Sequence, residues 1–403
     1  MPLSIDMKPE IIKAYALKNA VNHGGQAILG AVINSLFIEG LKKEDIKKII
    51  PEVQKIISEV NKLDEETQKK EFSKFESLIS KREVREGLPE FQHVSKKGVV
   101  MRFAPSPSGP LHIGHAITAS LSYLYIKKYG GKFYIRIEDT NPENIYVPAY
   151  KMIEKESKWL FDNVKIIIQS KRMEKYYQYI AKLFSKNAVY ACTCPSDKFK
   201  TYVMQKKECP CRNLSLTEQK KRWEKMLNKK GYKEGEAVLR FKSSMQHKNP
   251  AIRDFPLARI NESLHPLQKN KYKVWPLMNL AVTVDDIDLK ITHVIRGKDH
   301  RDNAEKQKMI FQVLSKKYPE DYYLGRIHLK DLELSSTQLR KDIETGKYTG
   351  WDDPKIPTIA SLKKQGFQPQ SILNVAEQIG MNEVDKTLEK KELFLLLKNK
   401  PKE

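Results

Sequence analysis

The sequence predicts an α/β fold centred on a doubly wound, Rossmann-like parallel sheet, with an inserted domain and a helical domain ahead of it. Three observations carry this. A short apolar run, Val99-Val100-Met101-Arg102-Phe103, enters a proline- and serine-rich loop, continues into a helix over about residues 113–129, and returns in an alternating strand at residues 132–137. That is the pattern of a parallel strand–helix–strand crossover. A second apolar run, residues 291–296, is again followed by a helical stretch, through Ile310. Between the two halves, from about Ala188 to Lys273, lies a tract of different texture that holds all four cysteines and many lysines.

The remaining elements follow in order. Residues 1–97 read as helices at about 11–20, 27–37 and 43–62, with Ile46, Ile49, Ile50, Val53, Ile56, Ile57 and Val60 on a helical period. Gly24-Gly25 marks a turn, and the Lys/Glu-rich stretch 64–86 reads as an exposed helix or linker. Gly130-Gly131 stops the helix that precedes the second strand. Residues 98–187 and 274–345 form the two halves of the sheet domain, 188–273 the insertion, and 346–403 a helical region ending in an amphipathic lysine-rich helix at 390–400. No internal repeat is present. A length of 403 residues fits two to four domains at roughly 150 residues each.

Lys and Arg total 73 against 50 for Asp and Glu, a formal charge of +23, which points to a polyanionic partner. With 40% hydrophobic and 31% charged residues in periodic patterns, wholesale disorder and a membrane protein are both excluded. The first six residues lack the basic and apolar regions of a signal peptide, so a cytoplasmic location is expected. In a reducing compartment, four cysteines within twenty residues of one another suggest a metal site more than disulfides. Cys192, Cys194, Cys209 and Cys211 form two pairs that suit a tetrahedral Cys₄ zinc site, although a one-residue gap within each pair is tight. Free buried thiols and a redox pair are the alternatives.

In Arg102-Phe103-Ala104-Pro105-Ser106-Pro107-Ser108-Gly109-Pro110-Leu111-His112-Ile113-Gly114-His115, two histidines flank a glycine where the loop enters a helix. Helix N-termini favour anions, and glycine lets backbone approach a phosphate closely. The run lacks the Gly-Lys-Ser/Thr of a P-loop, so histidines and backbone would hold the ligand. The competing role is that His112 and His115 only cap the helix.

This run resembles the first signature of class I aminoacyl-tRNA synthetases. With Arg136-Ile137-Glu138-Asp139-Thr140 it is similar to the glutamyl-tRNA synthetases of archaeal and eukaryotic type. The likeness continues through Val274-Trp275-Pro276-Leu277-Met278-Asn279, Asp285-Asp286, Thr292-His293-Val294-Ile295-Arg296-Gly297-Lys298-Asp299-His300 and Gly350-Trp351-Asp352-Asp353-Pro354. Residues 18–27 are similar to that subfamily's helical extension, so the resemblance covers roughly residues 15–380. It implies ATP-dependent activation of L-glutamate to glutamyl-adenylate and transfer to the 3′ end of tRNA(Glu), with tRNA(Gln) left open as a second acceptor.

By matching motif positions, Arg102 would take the glutamate side-chain carboxylate, which a guanidinium fork binds bidentately. Ala104 and Ser106 would line the same pocket, Glu138 would hold the α-amino group, and Arg296 would also contact the amino acid. His112, Gly114, His115 and Asp299 would lie on ATP, which brings Mg²⁺ with it. The zinc reading gains support, since some members bind zinc in this insertion; the metal would brace a lysine-rich hairpin against the acceptor stem. Lys198, Lys200, Lys206, Lys207, Arg212, Lys220, Lys221 and Arg222, interleaved with Phe199, Tyr202 and Trp223, would contact tRNA phosphates and splayed bases.

Two departures stand out. The second signature loop usually reads Leu-Ser-Thr-Ser-Lys, but here it is Leu334-Ser335-Ser336-Thr337-Gln338, so the expected cation is missing and Arg340 or Lys341 would have to replace it. Ile287 stands where histidine is common. The family continues into anticodon-reading β-barrels, and no strand-rich tract follows Asp353; a shortened gene product or a separate anticodon-binding chain is expected. Two other readings follow from these departures: an enzyme like glutamyl-queuosine tRNA synthetase, and a non-catalytic tRNA-binding relative.

Overall fold

A computed structural model describes residues 7–80 and 88–398, in two compact units, Met1–Glu86 and Gly87–Glu403. The first unit holds four helices: α1 (Pro9–Asn22), α2 (Leu29–Leu36), α3 (Ile46–Val60) and α4 (Glu65–Phe75). Ile12, Leu17, Val32, Leu36, Ile49 and Val53 are buried in a shared core, as the 3.6-residue period requires. Asp64 caps α4 by accepting the Thr67 N–H at 2.8 Å. The charged α4 is more than a solvated helix: its buried Gln68 donates Nε2–H to Gly25 O at 2.9 Å and Val60 O at 3.0 Å. The end of the expected linker, residues 81–87, lies outside the described residues.

The second unit begins at Gly87, ahead of the division expected at residue 97, because the preceding segment joins its core. Phe91 stacks on Tyr125, His293 and Tyr322 with ring centroids 3.6, 4.7 and 4.3 Å apart. The chain then runs β1 (Val99–Phe103), α5 (Ile113–Tyr129), β2 (Gly131–Ile137), α6 (Ala149–Leu160) and β3 (Lys165–Ile168), with β1–β2 parallel as expected and β3, a strand not read from the sequence, pairing in parallel with β2. At the α5–β2 corner a Cβ on Gly131 would sit 1.9 Å from Val99 O, so only glycine lets the two strands start side by side.

After α7 (Met173–Ser185) comes the insertion: β4 (Val189–Cys192), α8 (Ser196–Met204), α9 (Leu216–Leu227), β5 (Val238–Phe241), β6 (Pro256–Ile260) and β7 (Val274–Pro276). Its four strands form one antiparallel sheet in sequential order. β7, expected in the second half of the sheet domain, therefore pairs with the insertion. The chain returns through α10 (Met278–Asp288), β8 (His293–Gly297), α11 (Arg301–Val313) and β9 (Glu320–Leu324), with β8 and β9 parallel. Thr292 links the halves: its N–H donates to Val100 O at 2.9 Å, and its Oγ1 accepts the Val100 N–H at 2.9 Å. These bonds set the two-stranded β8–β9 sheet alongside β1 of the three-stranded β1-β2-β3 sheet, so that the chain turns outward on both sides of β1, the switch point of a doubly wound arrangement.

The remainder comprises β10 (Ile327–Lys330), α12 (Ser336–Glu344), α13 (Ile359–Lys364), α14 (Pro369–Ile379), β11 (Lys386–Glu389) and α15 (Lys390–Lys398). The all-helical expectation after Trp351 is corrected here, since β11 pairs in parallel with β10. Its sequence, Lys386-Thr387-Leu388-Glu389, buries only Leu388, too little apolar patterning to announce a strand. Among the described residues no helix is long and apolar enough to cross a membrane.

Candidate active site

The loop between β1 and α5 is held from several sides. Pro105 O accepts the Glu138 N–H at 2.9 Å, Pro107 O accepts the Tyr146 N–H at 2.8 Å, and Leu111 O accepts the Ile359 N–H at 2.9 Å. Buried Glu156 of α6 accepts the Leu111 N–H at 2.7 Å. Burial pushes its carboxyl up to about 8, against the lowering effect of that N–H. Glu156 braces the loop directly before His112, a role no sequence signal announced.

His112 does cap α5: its Nδ1 accepts the His115 N–H at 3.2 Å. Capping through Nδ1 leaves the proton of the neutral ring on Nε2, as a donor. The His112 and His115 rings stack with centroids 3.6 Å apart, and Phe103 meets His115 edge-on at 5.8 Å. His115 Nδ1 is buried without a partner among the described residues. Burial pushes His115 down to about 4 and His112 well below the usual imidazole range, with His115 adding to the latter shift. Two uncharged imidazoles at a helix N-terminus suit a polyanion.

Across the sheet, buried arginines and carboxylates interlock. Arg102 on β1 donates through Nε and Nη2 to Asp286 at 3.3 Å each. Fully buried Arg136 on β2 donates Nη1–H to Asp286 at 2.5 Å and Nη2–H to Glu138 at 2.9 Å. Burial pushes Asp286 up, but Arg102 and Arg136 outweigh it and hold its carboxyl below the ordinary value. Arg296, at the end of β8, donates to Gln307 Oε1 at 2.9 Å and lies 3.1 Å from Asp321, while its buried Nε has no acceptor among the described residues. The sequence-predicted Arg102, Glu138 and Arg296 thus come from three neighbouring strand ends. Arg136 and Asp286, which complete the cage, had no assigned role; the available signal was an arginine set between Ile135 and Ile137. Ala104 is half-buried, and Ser106 is exposed, its carbonyl accepting the Ser108 N–H at 2.9 Å. Asp299 follows β8 and lies 3.6 Å from Arg326.

The second loop docks on the first. Ser335 caps α12, its Oγ accepting the Gln338 N–H at 3.3 Å. A Cβ on Gly109 would lie 2.7 Å from Ser336 Cβ, and one on Gly114 would lie 3.2 Å from the His112 ring and 3.9 Å from Leu334. Glycine at both positions permits this closeness.

In the insertion, the four cysteine sulfurs lie within 4.8 Å of one another, with Cys192–Cys209 at 3.8 Å and Cys194–Cys211 at 3.7 Å. A tetrahedral Zn–S₄ centre with bonds of about 2.3 Å separates its sulfurs by about 3.8 Å, so the donor set fits. Hydrogen bonds from Cys192 and Cys209 hold the Cys211 thiol far below its usual range, and Arg222 donates Nη1–H to Cys211 Sγ at 3.3 Å. Helix α8 runs between the two cysteine pairs, and Cys211 lies in a 3₁₀ turn at Pro210–Asn213.

The basic tract divides. Lys198, Lys200, Lys206, Lys207, Lys220 and Lys221 are exposed. Arg212 is instead paired with Asp254, and with Glu208 at 2.9 Å, while Arg222 pairs with Glu218 at 3.3 Å. Phe199 is buried under the Arg240 guanidinium, 3.3 Å from its ring centroid. Trp223 packs on Tyr177 and Phe184 with centroids 6.0 and 5.9 Å away, and Tyr202 packs against the cysteine cluster.

Parallel strands with a histidine-bearing loop at their switch point and a buried arginine–carboxylate cage beside it have the arrangement of a nucleotide-binding enzyme. Comparison with known proteins agrees. Residues 98–400 match the family model described as tRNA synthetases class I (E and Q), catalytic domain, and the chain belongs to that family. It is 42% identical over 394 residues to the glutamate–tRNA ligase of Methanobrevibacter smithii, spanning 97% of this chain and 70% of that one. It is 40% identical over 395 residues to the glutamate–tRNA ligase of Methanosphaera stadtmanae, again spanning 97% and 70%. The solved glutamate-tRNA synthetase of Elizabethkingia anophelis shares the fold, with a TM-score of 0.52 and 22% identity over 74% of this chain and 70% of that one.

Two predictions follow from this geometry. A histidine that titrates near 4 when folded and near 6.5 when unfolded binds more protons in the unfolded state between those values. Its stabilising contribution is therefore present above pH ~6.5 and lost as pH falls toward ~4. Relative to His115→Gln, the natural chain should lose on the order of 2 kcal/mol across that window in chemical denaturation at fixed ionic strength; parallel stability–pH curves would refute this. Gly109→Ala should leave the melting temperature within about 2 °C while displacing Ser336, seen as a rise of roughly tenfold in the ATP KM.

Proposed function

We propose that the chain activates L-glutamate with ATP and transfers the glutamyl group to tRNA(Glu). The observation that supports this reading is the cage itself: Arg102 and Arg296 lie at the ends of β1 and β8, held by Asp286 and Asp321, and Glu138 follows β2, held by Arg136. One substrate bearing two carboxylates and an ammonium matches that charge pattern. Arg102 binds the side-chain carboxylate, with Asp286 and Arg136 fixing the plane of its fork, and Ala104 and Ser106 line the same pocket. Glu138, steered by Arg136, takes the α-ammonium, while Arg296 lies along the amino acid. His112 and His115 donate to the phosphates at the N-terminus of α5, Gly114 lets the backbone approach them, and Asp299 lies toward the nucleotide. Ser335 and Ser336 close from the opposite side. The α-carboxylate attacks the α-phosphorus and pyrophosphate leaves, with Mg²⁺ accompanying ATP. The sites lower the barrier by placing reactants and by stabilising the charge that builds on phosphorus.

The exposed lysines of the insertion provide phosphate contacts for the acceptor arm of tRNA. The glutamate–tRNA ligases it resembles align over 97% of the chain, N-terminal helices included, which favours tRNA(Glu) over the queuosine-type reading. Charging of tRNA(Gln), and dependence on a separate anticodon-binding chain, are read from the same assay with each RNA and with added partner fractions. Zinc, when bound by Cys192, Cys194, Cys209 and Cys211, supplies a structural crosslink with no open position for water.

Glutamate-dependent exchange of pyrophosphate into ATP, measured with tRNA present, tests the reading; exchange driven equally by glutamine or absent with glutamate would overturn it. In that assay Arg102→Lys, which keeps the charge and loses the fork, should raise the glutamate KM by about 30-fold and leave the ATP KM within about twofold. Metal analysis should find one zinc per chain. Cys211→Ser should remove it and lower the melting temperature by several degrees, with salt-dependent tRNA binding weakened; full stability in a chelator would exclude the crosslink.

A further inference from the structure

We propose that Gln307 is the positioning residue that aims Arg296 at the amino acid while leaving its charge uncancelled; this rests on the glutamate-activating reading above. Arg296 is buried, and two side chains hold its fork. Nη1 donates to Gln307 Oε1 at 2.9 Å, and Nη2 lies 3.1 Å from Asp321 Oδ1. Nε is buried without an acceptor among the described residues, so one donor of the fork is left over for a ligand. Asp321 is itself shared. Its other oxygen accepts the Tyr318 and Tyr323 hydroxyls at 2.8 and 3.1 Å and lies 3.8 Å from the Lys308 ammonium.

The second partner of the fork is an amide and not a carboxylate. Gln307 is buried on α11. An arginine only donates, so the amide oxygen must face it and the NH₂ group must turn away. That group finds its acceptor on α10: Gln307 Nε2–H donates to Asn279 Oδ1 at 3.2 Å, and Asn279 in turn donates Nδ2–H to Asn303 Oδ1 at 3.2 Å. Asn303 and Gln307 are one turn apart on the same face of α11, so two amides of α11 clasp one of α10. The clasp fixes the plane of the Gln307 amide, and the amide fixes the plane of the Arg296 fork at the end of β8. Because every member of the clasp is neutral, the guanidinium is oriented without being neutralised. A glutamate at position 307 would set a second carboxylate against the same guanidinium and remove the donor to Asn279.

The experiment is pyrophosphate exchange by the full chain and its variants with tRNA present, read as separate KM values for glutamate and ATP, with melting temperatures as a folding control. Gln307→Met, which keeps the length and loses both hydrogen bonds, should raise the glutamate KM by roughly tenfold and leave the ATP KM within about twofold. Gln307→Glu, which keeps an acceptor for Arg296 and adds a charge, should raise the glutamate KM at least as much. Asn374→Leu, which removes a buried amide on α14 away from these groups, should keep both constants within about twofold. A natural glutamate KM in either Gln307 variant, an equal rise in the ATP KM, or the same rise in Asn374→Leu would each overturn the assignment. Absence of exchange in the natural chain would overturn the activity on which it rests, a result distinct from any of these.

Discussion

Two arginines on adjacent strands share one aspartate. Arg102 and Arg136 both bind Asp286, and Arg136 reaches on to Glu138 and lies 3.8 Å from Asp285. Charges this deeply buried are stable only as a set, since removing one partner from such a pair typically costs about 3–5 kcal/mol. Asp285 is in turn held by Arg172 at 2.7 Å, Gln169 at 2.9 Å and the Tyr176 hydroxyl at 3.0 Å. The network ties β1 and β2 to α10, and hence the first half of the sheet to the second. The strand ends that carry Arg102 and Glu138 are fixed by the same ions that the proposed glutamate pocket would use.

The loop before α5 is held by a different means. It has few side chains with which to hold itself, and its shape comes from backbone hydrogen bonds to Glu138, Tyr146 and Ile359 and from the Glu156 carboxyl. Glycine at positions 109 and 114 leaves room for Ser336 and the His112 ring. The loop is therefore rigid without being filled, which leaves its donors free for a ligand.

Of the sheet, β1, β2 and β8 were legible because they are short apolar runs beside a glycine-rich corner, whereas β3 and β9, the latter Glu320-Asp321-Tyr322-Tyr323-Leu324, were not; β1 and α5 begin and end where pattern and punctuation place them. The histidine loop was legible for the same local reason. Pairings remote in sequence were not. Arg102 and Asp286 lie 184 positions apart, and nothing in either neighbourhood names the other. The docking of Ser336 on Gly109 is hidden in the same way. Composition misled most in the insertion, where Phe199, Trp223, Arg212 and Arg222 looked like a nucleic-acid surface but are consumed in packing and ion pairs. A charged side chain has the same letter whether it meets solvent or a buried Asp254. β11 escaped notice because a two-stranded parallel pair lying over a core needs one apolar contact, not a pattern.

The final helix belongs to the same interior as the first strand: Leu393 and Leu397 are buried in one cluster with Val99 and Met101. The segment leading to it is fastened to the turn after β8, through Lys298 to Asp385 at 2.8 Å and through Arg301 to Glu383. That turn carries Asp299, and the strand beside it carries Asp321, the neighbour of Arg296. Packing and these ion pairs thus join the last described helix to the turn that carries Asp299 and the strand that carries Asp321, so a substitution at Leu393 or Asp385 reaches that end of the sheet without touching it.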